Sequence, residues 1–236
     1  MIVFNSLKEI KAISFDLDDT LYDNAPIIEK AEQWYQKMLA EHPFFIGKEL
    51  PTHEQLKQDL WKANHAIIDD VTKCRKKILY RRFLSAGLES EDAEFNAELM
   101  MKKFIEIRSE LLVPEDSIAV LKKLKKKYSL IALTNGNVDI DKIGISPLFD
   151  VYLRASETLR AKPAADLFIE AAHRLNIDVR NILHVGDDPT TDVLGAKHAN
   201  SMSCLVNVSS HDPWPYIKVL PDIEIKSLDE LESFCR

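Results

Sequence analysis

Short apolar runs alternate along this chain with longer segments of helical periodicity. Residues 12–16 form an apolar run that ends in an acid, a pattern that predicts a buried strand. From Asn24 the apolar spacing becomes helical and stays so until Pro114. Prolines and polar residues suited to helix starts divide this stretch into about four helices. We place these helices at about 26–41, from 51–52 onward, at about 69–86 and at about 90–111.

After Pro114 short apolar runs and helical segments take turns. Strands that alternate with helices imply βαβ units and a parallel sheet. The predicted strands lie at about 129–134, 150–155, 181–186 and 202–207, with a weaker one at 222–226. The predicted helices lie at 115–127, 164–175 and 190–198, with a last one from Ser227.

This order predicts an α/β fold, a Rossmann-like open parallel sheet that an all-helical insert interrupts after its first strand. We expect residues 1–22 and 113–236 to form the core domain and residues 23–112 to form the insert. Each part is long enough to fold as a compact unit. The proline-rich stretch 211–216 is interpreted as a rigid loop.

Composition narrows the classes of protein. Hydrophobic residues make up 46% of the 236 and charged residues 29%, as in an ordinary globular protein. The net charge of −7 argues against a nucleic-acid binder, and the lysines of 122–128 are interpreted as a solvated helix face. No run is apolar enough to cross a membrane, and the first residues lack the pattern of a secretory signal.

Cysteine and glycine usage excludes further classes. Three widely spaced cysteines without a CxxC pair are typical of free thiols in a reducing cytoplasm. Six glycines form neither a dinucleotide fingerprint nor a phosphate-binding P-loop. We therefore expect a cytoplasmic protein that binds neither nucleic acid nor membrane, as a monomer or a weak homo-oligomer.

Polar residues follow the predicted strands where each strand ends. In an open parallel sheet, the ligand crevice lies at the carboxyl ends of the strands. The residues expected there are acids, a hydroxyl, an amide and an ammonium. They are Asp16, Asp18 and Asp19 after the first strand, Thr134 and Asn135 after the second, Asp187, Asp188 and Asp192 after the fourth, and Lys162 before a helix.

The acids gathered in this crevice repel one another unless a cation neutralises them. Because the cluster offers oxygen ligands and no grouping of His or Cys, we expect Mg²⁺ as the cofactor. Carboxylates with Mg²⁺, a lysine and a threonine form a set suited to binding a phosphoryl group. The ligand class indicated is a small phosphomonoester.

These motifs resemble those of the haloacid dehalogenase superfamily of phosphatases. FDLDDTLYDN is similar to its first motif, LTNG to its second, Lys162-Pro163 to its third and GDDPTTD to its fourth. The helical insert after the first motif resembles the family's C1-type cap. At finer detail the chain resembles the bacterial YigB-type subgroup, which implies phosphatase activity on flavin mononucleotide and on the phosphorylated ribitylamino-uracil intermediate of riboflavin synthesis.

The resemblance implies a role for each motif residue. Asp16 attacks phosphorus and forms an aspartyl-phosphate, and Asp18 protonates the leaving oxygen and then deprotonates the hydrolytic water. Thr134 binds a phosphoryl oxygen, and Lys162 neutralises charge on Asp16 and on the phosphoryl group.

Phosphate and metal ligands are implied in the same way. The backbone N–H groups of Leu17 and Asp18 hold phosphoryl oxygens with help from the Asn135 amide. The metal ligands are Asp16, the Asp18 carbonyl and Asp187, while Asp192 acts through water or from a second shell. Asp188 stays an alternative to Asp187.

Other chemical side chains receive structural interpretations. Asp19 is expected to be structural or exposed, His184 a satisfied core histidine and Arg75 a surface residue. Tyr22, with Asp23 and Asn24, is expected at the hinge of the insert. Five aromatic residues of the insert are expected mainly in its core, although stacking on a flat ring stays open. They are Trp34, Tyr35, Phe44, Phe45 and Trp61.

Three other functions stay open beside the phosphatase. A sugar phosphomutase uses the same scaffold, whereas a haloacid dehalogenase attacks carbon and needs no second carboxylate such as Asp18. A phospho-aspartate switch like a response-regulator receiver lacks a helical cap. A cap that closes over a small ligand and excludes water favours an enzyme.

Overall fold

The computed structural model describes residues 1–207 and 219–235. The predicted rigid loop at 211–216 lies outside this part of the chain. Within it, seven strands form one sheet. They are β1 Ile2–Val3, β2 Ala12–Phe15, β3 Ser129–Thr134, β4 Val151–Arg154, β5 Ile182–Gly186, β6 Met202–Val206 and β7 Ile223–Ile225.

The order of the sheet is β1-β7-β6-β5-β2-β3-β4, so β2 lies between β5 and β3. Its neighbours pair with it in parallel, with Phe15 opposite Val185 on one side and Ala132 on the other. The predicted α/β fold with a parallel sheet is confirmed. One strand was missed, because β1 has two exposed residues and no periodicity to mark it, and it pairs antiparallel with β7.

Helices account for most of the remaining structure. The first four of them follow β2 in the chain, as predicted. We call the segment that they form, residues 25–108, the helical insert. The α-helices are α1 Ala25–Glu41, α2 His53–Ala63, α3 Val71–Ser85, α4 Ser90–Arg108, α5 Glu115–Leu124, α6 Asp166–Leu175 and α7 Leu194–His198. Thr52 and Gln55 close a capping box at the start of α2, and Gly87 takes a positive φ of 92° just after α3.

Several boundaries differ from the predicted ones. α4 and α5 each end three residues early, because turns that the apolar pattern does not distinguish follow them. The helix expected over 190–198 begins as a π-helical turn, Pro189–Val193, with the Asp188 carboxylate capping its first N–H groups. The expected terminal α-helix is a 3₁₀-helix, Leu228–Cys235.

Apolar side chains cover both faces of the sheet. Ile13 and Phe15 of β2 point to the face that α5 covers, whereas Ala12 points to the face that α6 covers. The helical insert has an apolar cluster of its own, centred on Tyr35 and Phe83. With both faces buried, the carboxyl ends of β2, β3 and β5 are where polar groups can meet.

Candidate active site

The polar residues predicted at the strand ends line one cleft of about 220 Å³. The adjacent parallel strands β5, β2 and β3 bring them together, and the ladder continues past β2 through a bond from Asp16 N to Val185 O of 2.9 Å. The lining comprises Asp16, Asp18, Asp19, Thr134, Asn135, Gly136, Lys162, Asp187, Asp188 and Thr191. Leu17 and Asp192 are buried and do not belong to this lining.

Lys162 is the positive charge at the centre of the site. Its Nζ lies 2.7 Å from Asp16 Oδ1 and 2.7 Å from Asp192 Oδ1, and it donates to the Leu133 carbonyl at 2.9 Å. These three bonds use all of its protons. Burial by itself disfavours the ammonium, but the two carboxylates outweigh it and raise the pKa of Lys162 above its usual range. Lys162 is therefore a permanent cation.

Asn135 holds the backbone of Lys162. Its Oδ1 accepts from Lys162 N at 2.8 Å and its Nδ2 donates to Lys162 O at 2.9 Å. The side-chain amide is thus committed to the loop, and a phosphoryl contact from Asn135 is left to the backbone N–H. The hydroxyl of Thr134 accepts from Gly136 N at 2.8 Å, which leaves its own proton to donate.

Three carboxylates converge beside this lysine. Asp16, Asp187 and Asp192 each offer an oxygen atom within 4.8 Å of the others. Burial raises the pKa of Asp16 to about 7 in spite of Lys162, and burial, with the neighbouring Asp192, raises the pKa of Asp187 to about 6. The negative charge at this point exceeds what one ammonium neutralises, so the donor set suits a hard divalent cation.

Asp192 has both carboxylate oxygens in use. Oδ1 accepts from Lys162 and from His184 Nε2 at 3.1 Å, and Oδ2 accepts from Asp188 N at 3.0 Å. Burial favours its protonated form, but Lys162 and His184 outweigh burial and hold the pKa of Asp192 well below its usual range. This arrangement suits a residue that orients others better than a direct metal ligand.

Asp187 and Asp188 differ in their contacts. Asp187 Oδ1 accepts from the Thr20 hydroxyl at 3.0 Å and the side chain belongs to the acidic cluster. Asp188 Oδ1 instead accepts from Thr190 N and Thr191 N and caps the turn that follows.

His184 is a buried residue that binds Asp192. Burial lowers its pKa, so the ring is neutral, and Nε2 donates to Asp192 while Nδ1, 2.9 Å from Ser14 Oγ, accepts from that hydroxyl. The ring is a satisfied buried histidine, as the sequence indicated. Its partner Asp192, however, connects it to Lys162.

Asp18 is bonded to side chains outside this network. Its Oδ1 accepts from Tyr22 OH at 2.7 Å and from Arg108 Nη2 at 2.5 Å. Asp19, the next residue, has a positive φ of 59°, and its carboxylate caps Asn24 N at 2.9 Å. Asp19 therefore shapes the turn between β2 and the helical insert.

At two positions of the site a carboxylate lies so close to the backbone that only glycine fits. A Cβ on Gly136 would lie 2.5 Å from Asp18 Oδ2, and a Cβ on Gly186 would lie 2.3 Å from Asp192 Cγ. Each glycine follows or ends a strand of the site, so the backbone there makes room for an acid.

The model of the haloacid dehalogenase-like hydrolase family matches residues 10–200. This match covers most of the chain, including every motif of the cleft. The chain belongs to the haloacid dehalogenase-like hydrolase family. The resemblance inferred from the motifs is thereby confirmed.

Individual relatives of this haloacid dehalogenase-like hydrolase span nearly its full length. It is 37% identical to the 5-amino-6-(5-phospho-D-ribitylamino)uracil phosphatase YigB of Escherichia coli K12, over 98% of each chain. It is 27% identical to a glyceraldehyde 3-phosphate phosphatase of Methanothermobacter thermautotrophicus, over 84% of this chain and 86% of that one. A solved 2-haloacid dehalogenase of Pseudomonas syringae pv. tomato superposes with a TM-score of 0.87 at 30% identity, over 95% and 97% of the two chains.

Family membership and the phosphatase relatives confirm the predicted enzyme class. This haloacid dehalogenase-like hydrolase is a phosphoric monoester hydrolase that acts on a phosphorylated metabolite. None of the helices in 1–207 and 219–235 is long and apolar enough to cross a membrane.

Sequence reasoning missed Arg108, which is only 2% exposed. It follows Ala97, Met101 and Phe104 on the buried stripe of α4. A single charged residue on the apolar face of a helix is unusual, and this break in the apolar pattern is the signal by which Arg108 can be found in the sequence.

In the helical insert, the aromatic residues divide between core and surface. Tyr35 and Phe45 are buried and Trp34 packs against their cluster, whereas Phe44 and Trp61 are more than 40% exposed. The described residues that line the acidic cleft include none of the five.

Arg75, interpreted from the sequence as a surface residue, is partly buried, with 22% of its side chain exposed. Its guanidinium lies 4.0 Å from the Phe104 ring centroid and pairs with Glu32 at 2.5 Å. Apolar neighbours on the adjacent helices cover it, and periodicity along α3 does not reveal that.

Proposed function

We propose that this chain is a Mg²⁺-dependent phosphomonoesterase that works through an aspartyl-phosphate on Asp16. The observation that carries the proposal is the position of Asp16 at the floor of the cleft. One of its oxygens is 2.7 Å from a buried ammonium, and Thr134, Asp18 and Asp187 form the walls. A carboxylate held this way is oriented and shielded from water, as a nucleophile must be.

Phosphoryl transfer follows from these positions. A carboxylate oxygen of Asp16 attacks phosphorus as the bond from phosphorus to the ester oxygen breaks. Asp18 gives its proton to that oxygen, which leaves as the alcohol. Lys162, Thr134 and the backbone N–H groups of Leu17 and Asp18 stabilise the charge on the phosphoryl oxygens.

Hydrolysis then regenerates the enzyme. Asp18, now ionised, takes a proton from water, and the resulting hydroxide oxygen bonds to phosphorus. The bond between phosphorus and the Asp16 oxygen breaks, so inorganic phosphate and the free carboxylate are restored. One residue thus acts first as acid and then as base.

The acidic cluster suits Mg²⁺. Asp16, the Asp18 carbonyl and Asp187 would hold the ion, with Asp192 acting through water because its own oxygens are bonded to Lys162, His184 and Asp188 N. When bound, Mg²⁺ neutralises phosphoryl charge and aligns that group with Asp16.

We propose the helical insert, within residues 23–112, as the cap over a core formed by residues 1–22 and 113–236. The segment between α2 and α3 contacts the loop just before Lys162, where Asp69 Oδ1 accepts from Ala161 N at 2.9 Å. Asn64 Nδ2 donates to Glu157 at 2.7 Å and Lys73 pairs with the same carboxylate. Such contacts support a cap that covers the cleft and excludes water.

The substrate that we propose is the phosphorylated ribitylamino-uracil, flavin mononucleotide, or both. The support is the identity of 37% to a phosphatase named for the first compound, together with the motif resemblance to its subgroup. Both are phosphoric esters of a ribityl chain on a flat ring.

We also keep a cytoplasmic location as part of the proposal, supported by Cys74, Cys204 and Cys235 being free thiols. The oligomeric state that we propose is a monomer or a weak homo-oligomer.

The test is phosphate release from a panel of phosphomonoesters with Mg²⁺. The panel holds the two riboflavin-pathway compounds, sugar phosphates, pyridoxal phosphate and nucleotides. We expect kcat/KM for the two compounds to exceed that for the others by about 10-fold or more, the scale of a few good contacts. Equal rates across the panel would overturn the substrate while leaving the phosphatase.

The structural match to a 2-haloacid dehalogenase calls for one further control, halide release from a 2-haloacid. We expect no halide release, because Asp18 is suited to proton transfer and Asp187 to holding a metal ion, and attack on carbon needs neither. Halide release without phosphate release would overturn the proposed function. Isomerised sugar phosphate in place of free phosphate would identify a mutase.

A further inference from the structure

We propose that Arg108, assisted by Tyr22, is a positioning residue that aims the carboxyl group of Asp18 at the leaving oxygen. The inference rests on the proposed function, since it assigns Asp18 the proton transfer. It adds Arg108, which lies outside the family motifs, to the site. Arg108 belongs to the last turn of α4 and is 90 residues from Asp18 in sequence.

Both donors bind the same oxygen of Asp18. Arg108 Nη2 is 2.5 Å and Tyr22 OH is 2.7 Å from Oδ1. A guanidinium has N–H donors and no acceptor. The Tyr22 hydroxyl donates its single proton to this oxygen. Oδ1 is therefore occupied by two donors and has no place for a third hydrogen.

The other oxygen is left to the chemistry. Asp18 Oδ2 lies against Gly136, where an added Cβ would be 2.5 Å from it and 3.2 Å from Thr134 Oγ1. Asp18 and both of these residues line the cleft. The clamp on Oδ1 thus turns Oδ2 toward the side of the cleft that holds the phosphoryl-binding hydroxyl, and proton exchange with the leaving oxygen takes place there.

A purely structural arginine would be bonded more completely. The side chain of Arg108 is 2% exposed, and Nη1 has no hydrogen-bond partner in the described part of the chain. Among the described residues, its side-chain hydrogen bond is the one to Asp18. A buried guanidinium with an unbonded nitrogen is unfavourable for folding, so its position is explained best by the carboxyl group that it holds.

The two donors reach Asp18 along the two segments that join the helical insert to the sheet. Tyr22 stands between β2 and α1, and Arg108 ends α4. The orientation of Asp18 therefore depends on where α4 packs against the core. Ser109 Oγ, which accepts from Asp139 N at 3.0 Å, anchors the chain just after Arg108.

The test compares leaving groups. p-Nitrophenolate departs without a proton, whereas an alkoxide needs one, so a defect in the acid appears with alkyl phosphates and not with p-nitrophenyl phosphate. The quantity to measure is kcat/KM, because it reports steps up to the departure of the alcohol. The variants are Arg108→Gln, Arg108→Lys, Tyr22→Phe and Asp18→Asn, with Arg180→Gln as control because Arg180 is an exposed arginine paired with Asp178.

We expect Arg108→Gln to lower kcat/KM for an alkyl phosphate by about 10²-fold and for p-nitrophenyl phosphate by less than about 5-fold, the lower range of acid–base effects. Arg108→Lys should lose less kcat/KM than Arg108→Gln, since lysine keeps the positive charge but lacks the forked donors of a guanidinium. Tyr22→Phe gives a smaller loss with the same selectivity. Arg180→Gln changes neither rate.

Equal losses on both substrates in Arg108→Gln and Tyr22→Phe, with an unchanged Tm, would overturn the inference and leave the phosphatase intact. If Arg108→Gln fails to fold, the selectivity of Tyr22→Phe decides. Absence of leaving-group selectivity in Asp18→Asn itself would instead show that Asp18 is not the acid, which is a failure of the proposed function.

Discussion

At the scale of single residues, the site is organised by one buried cation. Lys162 binds Asp16 and Asp192 at equal distances of 2.7 Å and so fixes the spacing of two acids that would otherwise repel. Asp192 receives a second bond, from neutral His184. Removing one partner from such a network costs more than the pair contributes, because it leaves an uncompensated buried charge. Each residue of the network is therefore tested best by an isosteric change.

Asp16→Asn is the direct test of the nucleophile. An amide cannot form the acyl-phosphate, so we expect kcat to fall by about 10⁴-fold or more. The fold should persist, because Asn is nearly isosteric and Lys162 keeps its contact with Asp192. Phosphate release and thermal melting measure the two effects.

Asp178→Asn is the matched control, since Asp178 is an exposed acid that pairs with Arg180. It should keep full turnover. Residual turnover of Asp16→Asn within about 10-fold of the wild type would remove Asp16 from the nucleophile role, because an enzyme that cannot form the covalent intermediate loses far more than that.

At the scale of elements, the ends of three strands carry the site. β2, β3 and β5 are adjacent and parallel, so their carboxyl ends bring Asp16, Thr134 and Asp187 together at one edge of the sheet. The backbone there must also admit side chains from the following turns. Gly186 ends β5 with Asp192 folded back over it, and this close approach depends on a residue without Cβ.

Gly186→Ala tests that approach. The new Cβ would meet the Asp192 carboxylate at 2.3 Å, so the carboxylate must move away from Lys162 and His184. We expect a loss of about 1–3 kcal/mol in the free energy of unfolding, as for other overpacked sites. We also expect kcat to fall by about 10-fold or more through misplaced Lys162.

Gly47→Ala supplies the comparison. Gly47 has a positive φ of 72° and nothing within 4 Å of an added Cβ, and it lies in the helical insert. The substitution should cost stability through backbone strain, of about 1 kcal/mol, and leave kcat unchanged. Loss of kcat in both variants would mean that stability alone explains the effect of Gly186→Ala.

At the scale of the whole molecule, we expect the proposed Mg²⁺ to stabilise the fold. Without a cation, the folded protein raises the pKa of Asp16 to about 7 and of Asp187 to about 6, against 3.8 in the unfolded chain. At these two carboxylates the folded state then binds more protons than the unfolded state between about pH 4 and pH 7. Their contribution to the free energy of unfolding therefore falls as pH rises through that window when chelator is present.

Mg²⁺ should reverse this loss. An ion that binds the folded state at about 100 times its Kd adds about 2.7 kcal/mol, which is about 5–10 °C in Tm for a chain of this size. We expect the Tm shift to be larger at pH 7.5 than at pH 5, since protonated carboxylates bind the ion poorly. Asp187→Asn should lose most of the shift, and Asp178→Asn should keep it. An equal shift at both pH values would contradict the proposed acidic cluster.

Much of the fold follows from local pattern. Apolar runs followed by acids indicated β2, β3 and β5, and helical spacing between Asn24 and Pro114 indicated the insert, because burial imposes periods that the sequence itself displays. Thr134, Lys162 and the acids were predicted at one edge for the same reason: parallel strands end on the same side. The edge strand β1 was missed, since two exposed residues carry no period.

What the sequence by itself determined about this protein is the order of its elements and the set of chemical groups at the strand ends, because both depend on near neighbours in the chain. Only the tertiary structure decided which of those groups touch. Arg108 binds Asp18 from 90 residues away, the Asn135 amide binds the backbone of Lys162, and Asp192 binds the Lys162 ammonium. Such pairings arise from packing between distant segments, and no spacing along the chain encodes them.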